Sequence, residues 1–255
     1  MSRRPWSIAI ETPLVLLASS LLGLGLCIWS APANADGEAS WHKVRERDGI
    51  VSYRRERPGQ ALDAFRARMV FHADMWTVLA VLEDVDRAHE WTANCLEMRK
   101  LSGVSERDML VYARTDAPWP VRDRDVVTRA TTKVLGPSDV ITEVHSVRHL
   151  PERDGLVRIP ALDARYVFHK RADGAVEVEY MIELDPGGTL PDWVKNLVGR
   201  DLAHETLSRL RKRAEWAVAQ GTYVARAAHL RAIADEVLAT RRAVANQVTF
   251  TNAAR

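Results

Sequence analysis

The amino-acid sequence predicts an α+β fold in which a single meandering sheet packs against one long helix. The stretch 176–184 alternates apolar and mostly acidic residues, which is the period of a strand with one buried face. A turn at 185–188 leads into a helical pattern from Pro191 that runs to about residue 220 without an internal proline. Short strand patterns with short connections fill most of the preceding chain, and such connections favour antiparallel hairpins over β-α-β units.

The composition is that of a globular protein, since 47% of the 255 residues are hydrophobic and 27% are charged. That length suffices for one large domain or two small ones. The formal net charge is +2, and basic and acidic residues are interleaved along the chain. This pattern provides no electrostatic footprint for a phosphate backbone, so we expect no nucleic-acid partner.

Residues 1–35 have the three parts of a secretory signal peptide. Two arginines lie near the start, 13–30 is almost wholly apolar, and 33–35 (Ala-Asn-Ala) is a small-x-small cleavage site. The alternative is an uncleaved membrane anchor, since the apolar run approaches a spanning length. We therefore expect export across the inner membrane to the periplasm, or anchoring in the membrane if the segment is retained. Only Cys95 would remain after cleavage, which excludes an intramolecular disulfide.

The first part of the remaining chain predicts a hairpin, a third strand and a short helix. Two strand patterns, 41–47 and 50–56, flank Asp48-Gly49, a favoured pair for a tight hairpin turn. A third strand pattern covers 62–72. Asp74 is a good N-cap for the helix that follows, whose apolar residues form a broad stripe.

After Asn94 the sequence returns to strand patterns separated by turn signals such as Ser-Gly, Gly-Pro and Asp-Gly. These strands are predicted at 96–101, 109–115, 121–133, 140–150, 156–159 and 165–170. The total is nine or ten strands. Residues 221–255 form a C-terminal extension with a second amphipathic helical pattern at 223–247. This helix either packs on the outside of the domain or serves as an interfacial or partner-binding helix.

Two neighbouring strands carry rows of small, neutral residues on the face that we expect to point inward. The rows are Val126, Thr128, Ala130 and Thr132 on one strand, and Val140, Thr142, Val144 and Ser146 on the other. A solid core usually has larger side chains at such positions to reach close packing. The rows therefore either leave space for an apolar ligand or face large neighbouring side chains that fill the gap.

Motifs of the common enzyme and metal-binding families are missing from the sequence. It contains no H-E-x-x-H, C-x-x-C, G-x-S-x-G, P-loop or G-x-G-x-x-G pattern. His145 and His149 would share a strand face but lie far apart, so we expect no metal site and no cofactor. Asp123 and Asp125 flank Arg124, which favours an ion pair over a pair of acid and base catalysts.

The octet at 118–125 (Pro-Trp-Pro-Val-Arg-Asp-Arg-Asp), followed by two valines, resembles the P-W-P-x-x-x-R-D-x-V signature of START domains. These domains are the steroidogenic-acute-regulatory-related lipid-transfer family. Further motifs that resemble the family in order are Trp41 with Asp48-Gly49, Asp84 with Trp91, Val157-Arg158, and Asp185 to Pro191. The resemblance covers about 41–220, so we assign 36–220 to a START-like lipid-binding domain.

The resemblance implies a helix-grip fold, in which a bent antiparallel sheet closes around a long C-terminal helix and a cavity between them holds one hydrophobic molecule. It also implies an entrance formed by the loop 118–120 and the start of the last helix. The predicted ligand contacts are Trp119, Val126, Thr128, Ala130, Val144, Trp193, Val194, Leu197 and Val198, with Arg114 and Arg158 as candidate polar anchors. Trp119 between two prolines suits the covering of a pocket or contact with a membrane, or else it packs against the sheet end.

The cholesterol-binding branch of the family places an acidic and a basic side chain in the cavity. The basic residue of that branch would fall at or beside Ala130, with Arg129 expected to point the other way, which weakens a prediction of sterol binding. We expect an exported, monomeric, non-catalytic carrier of a lipid or other hydrophobic molecule, with transient membrane contact. The alternative is a cyclase- or aromatase-like enzyme that uses the same cavity, with an acid or base such as Glu97, Asp116 or His169.

The long helix does not show one uniform apolar stripe. Its first turns place Trp193, Val194, Leu197 and Val198 on one side, whereas Thr206, Leu210, Ala214 and Ala217 lie farther round. We therefore predict a front section that lines the cavity, a bend or change of face near 199–202, and a rear section that packs on the sheet.

Overall fold

The computed structural model describes the backbone of residues 41–105 and 107–253, and the side chains of these ranges apart from 103, 104, 196–201 and 247–253. The predicted signal peptide at 1–35 lies outside the described residues. None of the described helices is long and apolar enough to cross a membrane.

The described chain folds into ten strands, three α-helices and one 3-10 helix, as an α+β protein. In order, these are β1 (His42–Arg47), β2 (Ile50–Arg55), β3 (Ala64–Phe71), α1 (Met75–Glu83), the 3-10 helix (Val85–Glu90), β4 (Cys95–Ser105), β5 (Asp108–Thr115), β6 (Arg124–Val134), β7 (Asp139–Ser146), β8 (Val157–Arg158), β9 (Ala161–Lys170), β10 (Val176–Asp185), α2 (Asp192–Ala219) and α3 (Val224–Ala253).

All ten strands belong to one sheet with the order β1-β2-β3-β10-β9-β7-β6-β5-β4. Neighbours in this order are antiparallel, and the two-residue β8 pairs in parallel with the start of β6. The predicted α+β class and strand number are confirmed. Strand β9 begins four residues earlier than predicted because β10 pairs with it along its whole length, from Ala161 opposite Asp185 to Lys170 opposite Val176.

The predicted hairpin turn at Asp48-Gly49 and the predicted helix N-cap at Asp74 are both present in the structure. Asp48 and Gly49 both have positive φ angles, of 54° and 72°, which the tight turn between β1 and β2 requires. The Asp74 side chain accepts a hydrogen bond from the Trp76 N–H at 3.1 Å and caps α1. The hairpin and the helix start are therefore fixed by local chemistry.

Helix α2 packs on β2, β3 and β10 and forms the centre of the main hydrophobic core. The buried residues of its rear section include Ala203, Thr206, Leu207, Leu210, Ala214 and Ala217. Apart from Thr206, these residues repeat at intervals of four and three, which makes one continuous seam of the kind that packs helices closely. Leu207 therefore belongs to the buried stripe of the rear section, and the predicted change of face near 199–202 rests largely on side chains outside the described residues.

Helix α3 packs against α1 and β6, so the C-terminal extension is part of the folded unit. Its Ala227, Leu230 and Ala234 are buried in the same core as α2. The Arg226 guanidinium lies 3.2 Å from the Glu83 carboxylate at the end of α1, and Arg231 lies 2.8 Å from Asp74 at its start. The structure thus matches the prediction of a helix packed on the outside of the domain.

We predict that Leu230→Ala lowers the free energy of unfolding by roughly 2–5 kcal/mol, because the truncation leaves a cavity in the shared core. Val244→Ala, on an exposed position of the same helix, is the matched control and should change it by less than about 0.5 kcal/mol. Urea unfolding followed by circular dichroism measures both. Unfolding of α3 at a lower urea concentration than the rest of the protein would contradict the packing of α3 in the main core. Equal losses of stability in the two variants would contradict it as well.

Candidate functional site

The register of the sheet defines which side chains face the helices. Ala67, Tyr180, Tyr166, Thr142 and Thr132 are successive cross-strand neighbours on β3, β10, β9, β7 and β6, so their side chains share one side of the sheet. The Tyr180 hydroxyl lies beside Thr206 of α2. We call this side the helix-facing side, and the opposite side the outer side.

A chain of buried hydroxyl groups crosses the helix-facing side toward α2. The rings of Tyr166 and Tyr180 stack with centroids 4.5 Å apart, and the two phenols influence each other's pKa. Thr206, which lies beside Tyr180, donates its hydroxyl to the Leu202 carbonyl at 2.8 Å. Burial raises the pKa of both phenols, so both are neutral at physiological pH.

The two threonines of the same row are linked to the C-terminal helix through one carboxylate. Thr132 Oγ1 lies 3.0 Å from Thr142 Oγ1 and donates to Glu83 Oε1 at 3.0 Å. The Glu83 carboxylate is almost fully buried and is paired with Arg226 of α3. The polar groups of this row are therefore bonded within the protein, as buried polar groups generally are.

The next rows toward the start of α2 are apolar and incompletely covered. Ile182, Ala164, Val144, Ala130 and Met109 are cross-strand neighbours there. Half-buried apolar side chains on this side are Met98, Ala113, Ala130, Val144, Leu162 and Leu184, and Leu202 of α2 joins them. We call these seven residues the apolar lining.

Met98 links two otherwise separate groups of buried side chains. It packs against the main core and also against a smaller cluster of Val85, Met109 and Val111. Ala130 contacts the smaller cluster and Val144 contacts the main core. Small residues thus lie between two packed groups of side chains.

The predicted ligand contacts on the strands lie on this side. Val126 and Thr128 are buried on β6, next to Ala130 on the same face, and Val144 is directly opposite Ala130 on β7. Arg129 lies on the outer side and is bonded to Asp108, as predicted from the strand alternation. The sequence therefore identified the correct face of both strands.

At the start of α2 the structure places one of the predicted residues inward and another outward. Val194 is buried, but Trp193 is 50% exposed instead of facing inward. Successive helical residues are rotated by about 100°, so two adjacent side chains cannot both point at the centre of one contact face. The side chains of Leu197 and Val198, also predicted as ligand contacts, lie outside the described residues.

Trp119 is 90% exposed, so it does not pack against the end of the sheet. It lies in the loop between β5 and β6, beside a groove of about 540 Å³ that the side chains of Arg114, Arg153 and Leu156 help to line. An indole ring exposed to this degree is available for contact with an apolar phase, because tryptophan combines an apolar ring with a polar N–H.

The loop of Trp119 and the start of α2 lie at the same end of the sheet. Gly187, in the turn before α2, has a φ of +67°, and a Cβ there would lie 2.7 Å from the Arg158 carbonyl oxygen. Arg158 of β8 pairs in turn with Asp125 at the start of β6, directly after the Trp119 loop. The close contact at Gly187 therefore holds Trp119 and Trp193 at one end of the molecule.

Arg114 and Arg158 do not point into the helix-facing side, which corrects their prediction as polar anchors of a cavity. Arg114 is the cross-strand neighbour of Asp125 and lies on the outer side with it. It donates two hydrogen bonds to Asp123, of 2.6 and 3.2 Å, and holds the pKa of that carboxyl below its usual value. Arg158 donates to both oxygens of the fully buried Asp125, at 2.8 and 3.0 Å. Asp123 and Asp125 thus form ion pairs, although not with Arg124.

The three residues considered as acid or base catalysts also lie away from the apolar lining. Glu97 bonds Arg99 at 3.1 Å on the outer side, and His169 bonds Asp139 at 2.7 Å at the far end of β9. Asp116 is exposed in the loop after β5. Among the described residues, no group of three or more His, Cys, Asp or Glu side chains is placed to hold a metal ion.

Sequence reasoning did not single out Tyr166, Tyr180 or Arg124, which are buried on the helix-facing side, as residues of the site. All three occupy inward positions of strands that were predicted, so strand alternation alone would have placed them. Their partners could not be found in this way, because those lie on other strands or on α2.

An antiparallel sheet that grips a long C-terminal helix over an apolar lining defines a helix-grip protein. The family model described as START domain matches residues 33–219, which is well over half of the chain. This chain therefore belongs to the START domain family, as the motifs around Trp119 and Gly187 predicted.

Several relatives match most of the same region. An uncharacterised protein of Pseudomonas aeruginosa is 33% identical over 193 residues, covering 75% of this chain and 95% of that protein. Human START domain-containing protein 10 is 25% identical over 184 residues, which are 71% of this chain and 63% of that protein. The crystal structure of a STAR-related lipid transfer protein from Xanthomonas axonopodis superposes with a TM-score of 0.64 at 29% identity, covering 69% of this chain and 99% of that one.

Proposed function

We propose that this protein is a carrier that binds one lipid or other hydrophobic molecule between the helix-facing side of its sheet and the front of α2. The observation that carries this proposal is the apolar lining, in which Ala130 and Val144 face each other where larger residues would close a core. Burial of an acyl chain contributes roughly 0.8 kcal/mol per CH₂, so a chain of ordinary length provides ample affinity.

The START domain match and the similarity to the STAR-related lipid transfer protein of Xanthomonas axonopodis support this function. We favour a non-catalytic role because Glu97, Asp116 and His169 lie outside the apolar lining, and the polar row of Thr132 and Thr142 is bonded within the protein. A cyclase- or aromatase-like activity would need a free acid or base among those side chains. Ala130 provides no charge for a sterol hydroxyl, which directs the proposal toward lipids with acyl chains.

We predict that Val144→Phe removes most of the bound lipid, at least about fivefold by native mass spectrometry, because the ring occupies the space of an acyl chain. The variant should remain folded, since the added ring enters space that the apolar lining leaves open. Overpacking of an already closed core would instead cost about 1–3 kcal/mol. Thermal unfolding of the lipid-free protein separates these two cases.

The matched control is His145→Phe, which introduces the same ring one residue along β7 on the exposed outer side. This variant should bind lipid like the wild type. Wild-type protein that carries no lipid after purification, and takes up neither oleate nor dioleoyl-phosphatidylcholine, would contradict the proposed function. Retention of lipid by Val144→Phe would place the ligand elsewhere.

We also propose that Trp119 contacts the membrane during exchange of the ligand. An aromatic residue that is 90% exposed gains about 1.4 kcal/mol or more by entering the apolar interface, which corresponds to about a tenfold change. Trp119→Ala should therefore slow transfer of a fluorescent lipid between vesicles about tenfold and leave the amount of bound lipid unchanged. Trp216→Ala, at a half-exposed position on the rear of α2, is the control, and equal slowing by both variants would contradict the proposal.

Export is a further part of the proposal, and it rests on the sequence of residues 1–35 alone. Cleavage after Ala35 would leave Asp36 as the first residue of the mature protein. The intact mass of the protein isolated from the periplasm of its own cells measures this directly. A mass that includes the apolar segment would support a membrane anchor instead.

A further inference from the structure

Arg124 is a buried cation on the helix-facing side of the sheet. It is the first residue of β6 and is 7% exposed. It precedes Val126 and Thr128 in the inward row of that strand, and its cross-strand neighbour on β5 is Thr115. The Arg124 side chain therefore lies on the side where the apolar lining lies, and not with the ion pairs of the outer side.

The two carboxylates beside Arg124 in the sequence are occupied by other arginines. Asp123 is bonded by Arg114, and Asp125 points to the outer side, where Arg158 binds both of its oxygens. The Arg124 Nη1 group donates to the backbone carbonyl of Arg122. Within the described ranges, no carboxylate forms an ion pair with Arg124.

Arg66, an arginine that is comparably buried, has a carboxylate and two aromatic rings beside its guanidinium. It lies 3.9 Å from the Glu179 carboxylate, and its guanidinium stacks on the rings of Trp41 and Tyr53 at 4.8 and 4.5 Å. Arg124 has one carbonyl in place of these partners, although a guanidinium carries five N–H donors. It is thus a buried charge with one hydrogen bond, and the carboxylate that acts on it from farther away, Asp123, is paired with Arg114.

Burying a charge without a counter-ion costs several kcal/mol, so such groups normally face a partner of opposite charge. Burial lowers the pKa of the Arg124 guanidinium because it disfavours the charged form of the side chain. A guanidinium binds carboxylate and phosphate groups through two parallel N–H bonds. The chemistry that completes this site is therefore an anion with two oxygen acceptors.

The location of Arg124 fits the polar end of a lipid. It follows the loop of Trp119, at the end of the sheet where α2 begins, and Val126, Thr128 and Ala130 continue from it along the same face. Resting on the proposed lipid-binding function, we propose that Arg124 binds the anionic headgroup, phosphate or carboxylate, of the lipid whose chain lies along the apolar lining. Arg124 is thus the residue that selects acidic over neutral lipids.

Two pairs of lipids with equal chains test this selection on the full chain. Dioleoyl-phosphatidate and dioleoylglycerol differ in the phosphate, and oleate and oleyl alcohol differ in the carboxylate. Wild-type protein should prefer the acidic member of at least one pair by about tenfold or more in competition measured by native mass spectrometry. A preference in the first pair indicates a phosphate headgroup, and a preference in the second pair indicates a carboxylate headgroup.

Arg124→Gln should abolish this preference while the neutral lipid still binds, and Arg124→Lys should retain part of it because the charge remains. Arg129→Gln is the matched control, since it makes the same change five residues along β6, on the outer side in the pair with Asp108. It should leave the preference unchanged. Circular dichroism shows whether each variant is folded, and Arg124→Lys provides the test if Arg124→Gln does not fold.

Three results would overturn the inference, and they differ from one another. An unchanged preference in Arg124→Gln, or a preference lost equally in Arg129→Gln, would show that Arg124 does not read the headgroup. If millimolar inorganic phosphate alone abolishes the preference for the acidic lipid, Arg124 is part of a simple anion site. Failure of the wild type to bind any of the four lipids would instead reject the proposed function itself.

Discussion

The two-residue alternation of side chains across the ten-stranded sheet is the constraint on which the rest of the structure depends. Because neighbouring strands are paired in register, one choice of face on β10 fixes the faces of β3, β9, β7 and β6 together. A shift of β10 by one residue would replace Tyr180 in the buried row by Glu179 or Met181. The large hydrophobic side chains of α2 then hold the chosen face against the helix.

The same alternation separates charge from apolar surface. The outer side carries ion pairs such as Arg129 with Asp108 and Lys133 with Glu143, which are partly exposed and individually contribute little to stability. The pair of Arg158 and Asp125 differs, because Asp125 is fully buried and loss of either partner would leave a charge without compensation. This pair holds β8 on β6. Because Gly187 packs closely on the Arg158 carbonyl, the pair also positions the turn that leads into α2.

The sequence predicted the features that depend on local chemistry. Positive φ at Asp48 and Gly49, the N-cap at Asp74 and the inward row of β6 follow from short-range rules and were predicted correctly. Arg114 and Arg158 were assigned to the wrong side because their partners, Asp123 and Asp125, are set by the pairing of β5, β6 and β8, which no single strand pattern contains.

The site is less predictable than the fold for the same physical reason. Whether a row of small residues leaves space depends on the side chains that face it from other strands and from α2, and those contacts are long-range. Trp193 illustrates the limit, since its apolar character indicated burial but the helix rotation directs it outward, while adjacent Val194 is buried. The buried charge of Arg124 became evident only when the partners of Asp123 and Asp125 were located.

The folded unit extends beyond the part of the chain that matches the family. The match ends at residue 219, yet α3 buries Leu230 and Ala234 in the main core and places Arg226 against the almost fully buried Glu83. Glu83 in turn accepts the hydroxyl of Thr132, a residue of the helix-facing row. Removal of α3 would take a cation from a buried carboxylate and uncover apolar surface on α1, and each of these changes is costly. The C-terminal helix therefore stabilises the same side of the sheet that carries the apolar lining.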